Sequence, residues 1–171
     1  MRTTDHLGRP LVAVTGIGVV TSLGVGKADN WTALTAGKSG IHRITRFPVE
    51  HLNTQIAGMV DFLPSSTTGA SPLTFDLAAT AAEEAVDESG LSPDNFGGPL
   101  FLASPPVELD WRDRFDLYRA GKGGTAAQRI AQAASELKTL DLFESAQFGS
   151  IADRLADRFG TRGLPITLST A

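Results

Sequence analysis

Leu11-Val12-Ala13-Val14-Thr15 is apolar at consecutive positions rather than at alternate ones. Successive side chains of a strand point to opposite faces, so such a run needs cover on both sides, as a central strand of a parallel sheet receives from flanking helices. That requirement selects an α/β layer structure. Gly16 and Gly18 follow at once, in Thr15-Gly16-Ile17-Gly18-Val19-Val20-Thr21. A strand entering Gly-x-Gly is also how a dinucleotide-binding loop begins, but the third glycine of that fingerprint would fall where Thr21 stands. The two glycines therefore read as a tight turn with close backbone packing rather than as a phosphate cradle.

The rest of the chain alternates in the same manner. Asp29 or Asn30 is expected to cap a helix through Trp31, Leu34 and Ala36 that stops at Gly37. Gln55–Val60 reads as a strand, and Ser65–Ser71 as a polar loop. Pro72 opens the longest helix, with Leu73, Leu77, Ala81 and Ala85 on one face, Ala78 and Ala82 beside them, and Glu83, Glu84, Asp87 and Glu88 on the wet side. Pro99–Ala103 is a third buried strand, and Pro105-Pro106 forces a loop after it. Helices follow over Leu109–Arg119, Thr125–Leu140 and Ile151–Phe159, then a last strand from Leu164 towards Ala171. The strands from Leu11, Gln55, Pro99 and Leu164 are predicted to form one sheet within a single domain, residues 1–171.

Composition narrows the chemistry. The chain has no cysteine, so it supplies neither a thiolate metal site nor a thiol nucleophile. No apolar run nears the ~18 residues of a membrane span, and no leader is visible, which predicts a soluble, cytoplasmic protein. A net charge of −4 disfavours nucleic acid as a partner. His6, His42 and His51 lack metal-ligand spacing and read as surface residues. The acidic group around Glu84 lacks an apolar pocket for acid–base work, and Asp153, Arg154, Asp157 and Arg158 read as a solvated helix face. Trp111, Phe115 and Tyr118 recur near helical spacing and read as core or subunit-interface packing rather than a ligand-stacking platform.

Three stretches then carry a resemblance: Val12–Gly24 with Trp31–Ile41, Ala81–Leu91, and Phe159-Gly160-Thr161-Arg162-Gly163-Leu164-Pro165-Ile166-Thr167-Leu168-Ser169-Thr170-Ala171. Together they resemble the amino-terminal half of the β-ketoacyl-acyl-carrier-protein synthases, decarboxylating condensing enzymes with the thiolase fold. The resemblance implies an incomplete, amino-terminal portion of that layered α/β fold, cut just before the nucleophile. In the family a catalytic cysteine follows the triplet that here is Ser169-Thr170-Ala171, and its helper residues lie in the second half. No catalytic residue, metal site or cofactor is therefore expected within these residues.

The resemblance further implies a homodimer or a second-half partner, acyl and malonyl thioesters as substrates, and an acyl-carrier protein as partner. Departures from the pattern are expected to matter. Ala103–Trp111 replaces the usual Gly-rich run beside the acyl pocket, which makes Pro106 and Val107 the candidate pocket lining. Ser65–Pro72 lacks the basic residues that can meet a carrier protein, and Gly149 stands where an asparagine is common. The competing expectation is a non-catalytic relative that serves as an interaction or scaffold subunit.

Overall fold

The computed structural model describes residues 3–64, 69–92, 97–105, 109–121, 123–136, 143–144 and 146–169. Its elements in chain order are β1 (Val20–Thr21), β2 (Gly24–Val25), α1 (Gly26–Thr35), β3 (Ile41–Arg43), β4 (Ile56–Gly58), α2 (Ala70–Ser89), β5 (Phe101–Ser104), α3 (Trp111–Ala120), α4 (Ala126–Glu136), α5 (Ser150–Phe159) and β6 (Ile166–Ser169).

Burial of the small, apolar side of α2 organises the centre. Ala79 packs against Ile151 and Leu155 of α5, with Phe75, Ala78, Leu100, Leu102 and Phe159 around them. A helix with alanine at the contact lets its neighbour approach closely, so α2 and α5 lie together over β5. Gly90, in the left-handed region at φ 65°, ends α2, and Gly160 at φ 61° ends α5.

The sheet differs from the expected single one. β5 and β6 pair in parallel, but β4 pairs antiparallel with β3, and β1 with β2. Leu11–Thr15 forms no strand, and Val12 and Val14 are 94% and 79% exposed. The Leu11 amide bonds to the Thr3 carbonyl at 3.0 Å beside an isolated Thr4–Pro10 bridge, but a single bond at one end does not make a strand, so among the described residues its two-faced apolar pattern is unmet.

The start of α1 is also corrected. It begins at Gly26, which puts Asp29 and Asn30 inside the helix, and its N-cap Val25 offers no side-chain cap. Asn30 instead turns its amide back to the carbonyls of Gly24 and Gly26, at 2.9 and 2.8 Å. Ala33 is the buried residue of α1, whereas Trp31 and Leu34 are exposed. The cap itself arrives from α2, as described below.

Candidate active site

The parallel pair defines one edge. Phe101, Leu102, Ala103 and Ser104 of β5 stand opposite Ile166, Thr167, Leu168 and Ser169 of β6. Hydrogen bonds from the Arg162 amide to the Gly98 carbonyl (3.1 Å) and from the Ile166 amide to the Leu100 carbonyl (2.9 Å) bring the strands into this register. Both strands run the same way, so the chain leaves Ser104 and Ser169 side by side, at the carboxyl edge where α/β proteins gather their chemistry. Ser104 is 3% exposed, and its hydroxyl donates to the Pro105 carbonyl at 2.9 Å. The candidate pocket residues Pro106 and Val107 lie outside the described residues, as does Ala171. What is placed is the point at which each of those segments begins.

The Gly-x-Gly loop is not an open cradle. The Ile17 amide donates to Glu88 Oε2 at 2.6 Å and the Val19 amide to Glu84 Oε2 at 2.8 Å. The other oxygen of Glu84 accepts from the Lys27 amide at 2.8 Å, which caps α1. Lys27 Nζ also pairs with Glu88 Oε1. Carboxylates of α2 thus occupy the donors that a phosphate would need. A Cβ at Gly16 or Gly18 would overlap the carbonyls of Ala85 and Ala81 respectively, so close packing is what these positions require. Glu84 and Glu88 are thus engaged by backbone amides although Glu88 stays 45% exposed on the wet side of α2, and Glu83 pairs with Arg158 of α5.

These contacts set a pH dependence. Glu84 is held below the ordinary carboxylate range first by the Lys27 amide and then by the Val19 amide; Glu88 is held down first by the Lys27 side chain and then by the Ile17 amide. A carboxyl with a depressed folded pKa gives stability that is complete above its unfolded value, about 4.3, and is lost as the pH falls through the folded value. Urea midpoints of the wild type should therefore decline below about pH 4.3. Glu84→Gln, which keeps an acceptor oxygen but does not titrate, should start lower at pH 7 and decline less steeply.

The other candidates separate. His42 Nε2 lies 3.0 Å from Asp61 Oδ2 on the exposed hairpin side, and among the described residues no group of three His, Cys, Asp or Glu could hold a metal ion. Arg154 is not merely solvated, since its guanidinium stacks 3.9 Å from the Phe75 ring centroid. Of the expected core or subunit-interface packing of Trp111, Phe115 and Tyr118, the core half is not met, because α3 buries Leu117 and leaves all three rings about half exposed in the single chain. Arg112, Arg119 and Arg129 lie over the three rings. Gly149 is the N-cap of α5 and offers no side-chain bond. A groove of about 590 Å³, lined by Phe47, Pro48, Leu52, Leu109, Trp111 and Arg114 among others, had no sequence signal, because its walls come from separate segments.

Residues 10–171 match the family model described as the N-terminal domain of β-ketoacyl synthase. The chain belongs to the β-ketoacyl synthase family. This β-ketoacyl synthase chain is 31% identical over 176 residues to a Streptomyces cyaneus protein described as a polyketide β-ketoacyl synthase, covering 93% of this chain and 39% of that one. It is 38% identical over 94 residues to 3-oxoacyl-acyl-carrier-protein synthase 2 of Coxiella burnetii, covering 52% of this chain and 23% of the relative. Among solved structures it resembles a type II polyketide ketosynthase in complex with its acyl-carrier protein, with a TM-score of 0.61 and 24% identity over 92% of this chain and 37% of that one. It also resembles the ishigamide ketosynthase/chain length factor, with a TM-score of 0.59 and 23% identity over 90% of this chain and 39% of that one. The fold is accordingly the thiolase-like α/β fold, of which this β-ketoacyl synthase chain spans less than two fifths of the length of those proteins. Among the described residues no helix is long and apolar enough to cross a membrane.

Proposed function

We propose that residues 1–171 are the amino-terminal domain of a condensing enzyme that extends an acyl thioester by decarboxylative Claisen condensation, in fatty-acid or polyketide synthesis. A cysteine immediately after Ala171 takes the acyl group from its carrier thiol. A malonyl-carrier thioester then loses carbon dioxide, and the resulting carbanion attacks the acyl carbonyl and expels the cysteine thiolate. The present residues supply the scaffold for that step, with Pro106 and Val107 lining the acyl pocket. An acyl-carrier protein, a homodimeric assembly and the cytoplasm belong to the same reading. The observation that carries it is the parallel β5–β6 pair, in which β6 ends at Ser169, shortly before the family match ends at residue 171.

The test is a peptide map of the native polypeptide after incubation with an acyl thioester. An acyl adduct on a cysteine that directly follows Ala171 is expected. Another residue at that position, or a cysteine there that stays unacylated, overturns the catalytic reading. The 171-residue chain by itself has no cysteine and should stay at 18.0 kDa in the same incubation. A second reading, an interaction or scaffold subunit, draws on the exposed apolar run at Val12 and Val14 and on exposed Leu164. It predicts capture of a complete synthase without acylation of this polypeptide.

A further inference from the structure

The segment leaving β5 begins at buried Ser104 and ends at Asp110, the residue before α3. Asp110 makes no side-chain cap on its own helix. Its Oδ2 instead accepts from the amide of Ala70, the first residue of α2, at 3.2 Å. The N-cap of α2 is Gly69, which has no side chain to cap with, and a Cβ there would overlap Asp110 Oδ2. The Asp110 carboxylate therefore occupies the place of the missing cap. Backbone bonds continue the tie into both helices, from the Leu73 amide to the Gly69 carbonyl at 3.2 Å and from the Arg114 amide to the Asp110 carbonyl at 2.9 Å. Arg114 Nε also donates to the Leu109 carbonyl at 2.9 Å. Arg46, Arg112 and Asp113 face the same cleft.

We propose that Asp110 is a positioning residue, whose carboxylate ties the start of α3 to the start of α2. Asp110 is then fixed against the first turn of α2. A negative group at a helix amino terminus is also favoured by the helix dipole, which strengthens the tie. The consequence for acyl-chain selection rests on the condensing-enzyme reading, because that reading places Pro106 and Val107 in the pocket wall. The tie itself does not.

Hydrogen exchange of the native polypeptide tests it from both sides of the bond. Asp110→Ala should speed exchange at the Ala70 and Arg114 amides roughly tenfold or more, as expected for loss of a hydrogen bond to a charged group, while Asp110→Asn, which keeps an acceptor oxygen, should restore most of the protection. Protection of the Ile17 and Val19 amides, which bond to the far end of α2, reports that the fold survives. Ala70→Pro deletes the donor at a helix position where proline is well tolerated, so α2 should persist while the Arg114 amide loosens. Unchanged Arg114 exchange in Ala70→Pro, or equal exchange in Asp110→Asn and Asp110→Ala, overturns the tie. No acyl chemistry enters this measurement, so a failed acylation leaves the tie standing and unchanged exchange leaves the condensing reading standing.

Discussion

Gly18→Ala is expected to lower the stability of the chain by about 3 kcal/mol, the upper end of the usual cost of forcing one methyl into a closed contact. The new Cβ would overlap the carbonyl carbon and oxygen of Ala81 and lie 3.0 Å from its Cα. All three atoms are backbone of α2, so no side-chain rotation relieves the clash. The loop must move away from the helix, and that movement draws the Val19 amide off Glu84 and the Ile17 amide off Glu88. At roughly 2–4 °C per kcal/mol for a chain of this size, the midpoint of thermal unfolding should fall by roughly 6–12 °C. Gly37→Ala is the informative comparison. Gly37 sits at φ 65° with nothing within 4 Å of a built Cβ, so its substitution incurs only the left-handed strain, about 1–2 kcal/mol. Gly18 is absent from the positive-φ glycines. If Gly18 served backbone freedom instead of close approach, the order of the two variants would reverse.

How much of this was legible in the sequence depends on whether a signal was local. Helix α2, the helix at Ile151–Phe159 and the strands around Phe101 and Ile166 were visible because periodicity and punctuation act within a few residues. Of the stripe expected on α2, however, only Leu73 is buried, and Ala79, which meets α5, lay outside it. The helix starts were not visible. α1 is capped by Glu84, 57 residues away, and α2 by Asp110, 40 residues away. A local search for caps settles on Asp29 or Asn30 because nothing nearby points to a carboxylate on another helix. For the same reason the bonds of Glu83, Glu84 and Glu88 were not legible: their spacing marks the wet side of α2, where Glu83 and Glu88 stay half exposed, and only the folded chain brings backbone amides and Arg158 to meet them. Leu11–Thr15 shows the converse. Its pattern states what it needs, cover on two faces and strand neighbours, but the described residues do not meet that need. Of the candidate site, the carboxyl edge could be read from the order of elements, whereas the side-by-side placement of Ser104 and Ser169 needed the pairing of β5 with β6.

Leu155→Ala is expected to be about as damaging as Gly18→Ala, by a different mechanism and with a different local consequence. Leu155 and Ile151 are 2% and 1% exposed and form the contact of α5 with Ala79 of α2. Removing three carbons there loses transfer free energy and leaves a cavity, together about 2–5 kcal/mol. Against a typical total of about 5–15 kcal/mol, that is enough to loosen α5 as a unit. α5 is bound to the candidate edge through a short path. Gly160 turns the chain, the Thr161 amide bonds to the Ala156 carbonyl at 3.1 Å, the Arg162 amide to the Gly98 carbonyl, and β6 begins at Ile166 against Leu100. Leu155→Ala should therefore raise hydrogen exchange at the Arg162 and Ile166 amides along with the loss of urea midpoint. Two neighbours on the same interface separate packing from charge. Arg154→Ala removes only a stacked cation on Phe75, worth about 0.5–1 kcal/mol at an exposed site, and Glu83→Ala breaks an ion pair between two half-exposed side chains, worth about 0–1 kcal/mol. Both should leave the Ile166 amide protected. Equal losses in Leu155→Ala and Arg154→Ala would mean that α5 is held by its charged side, and that the apolar contact with α2 does not set where β6 lies beside β5.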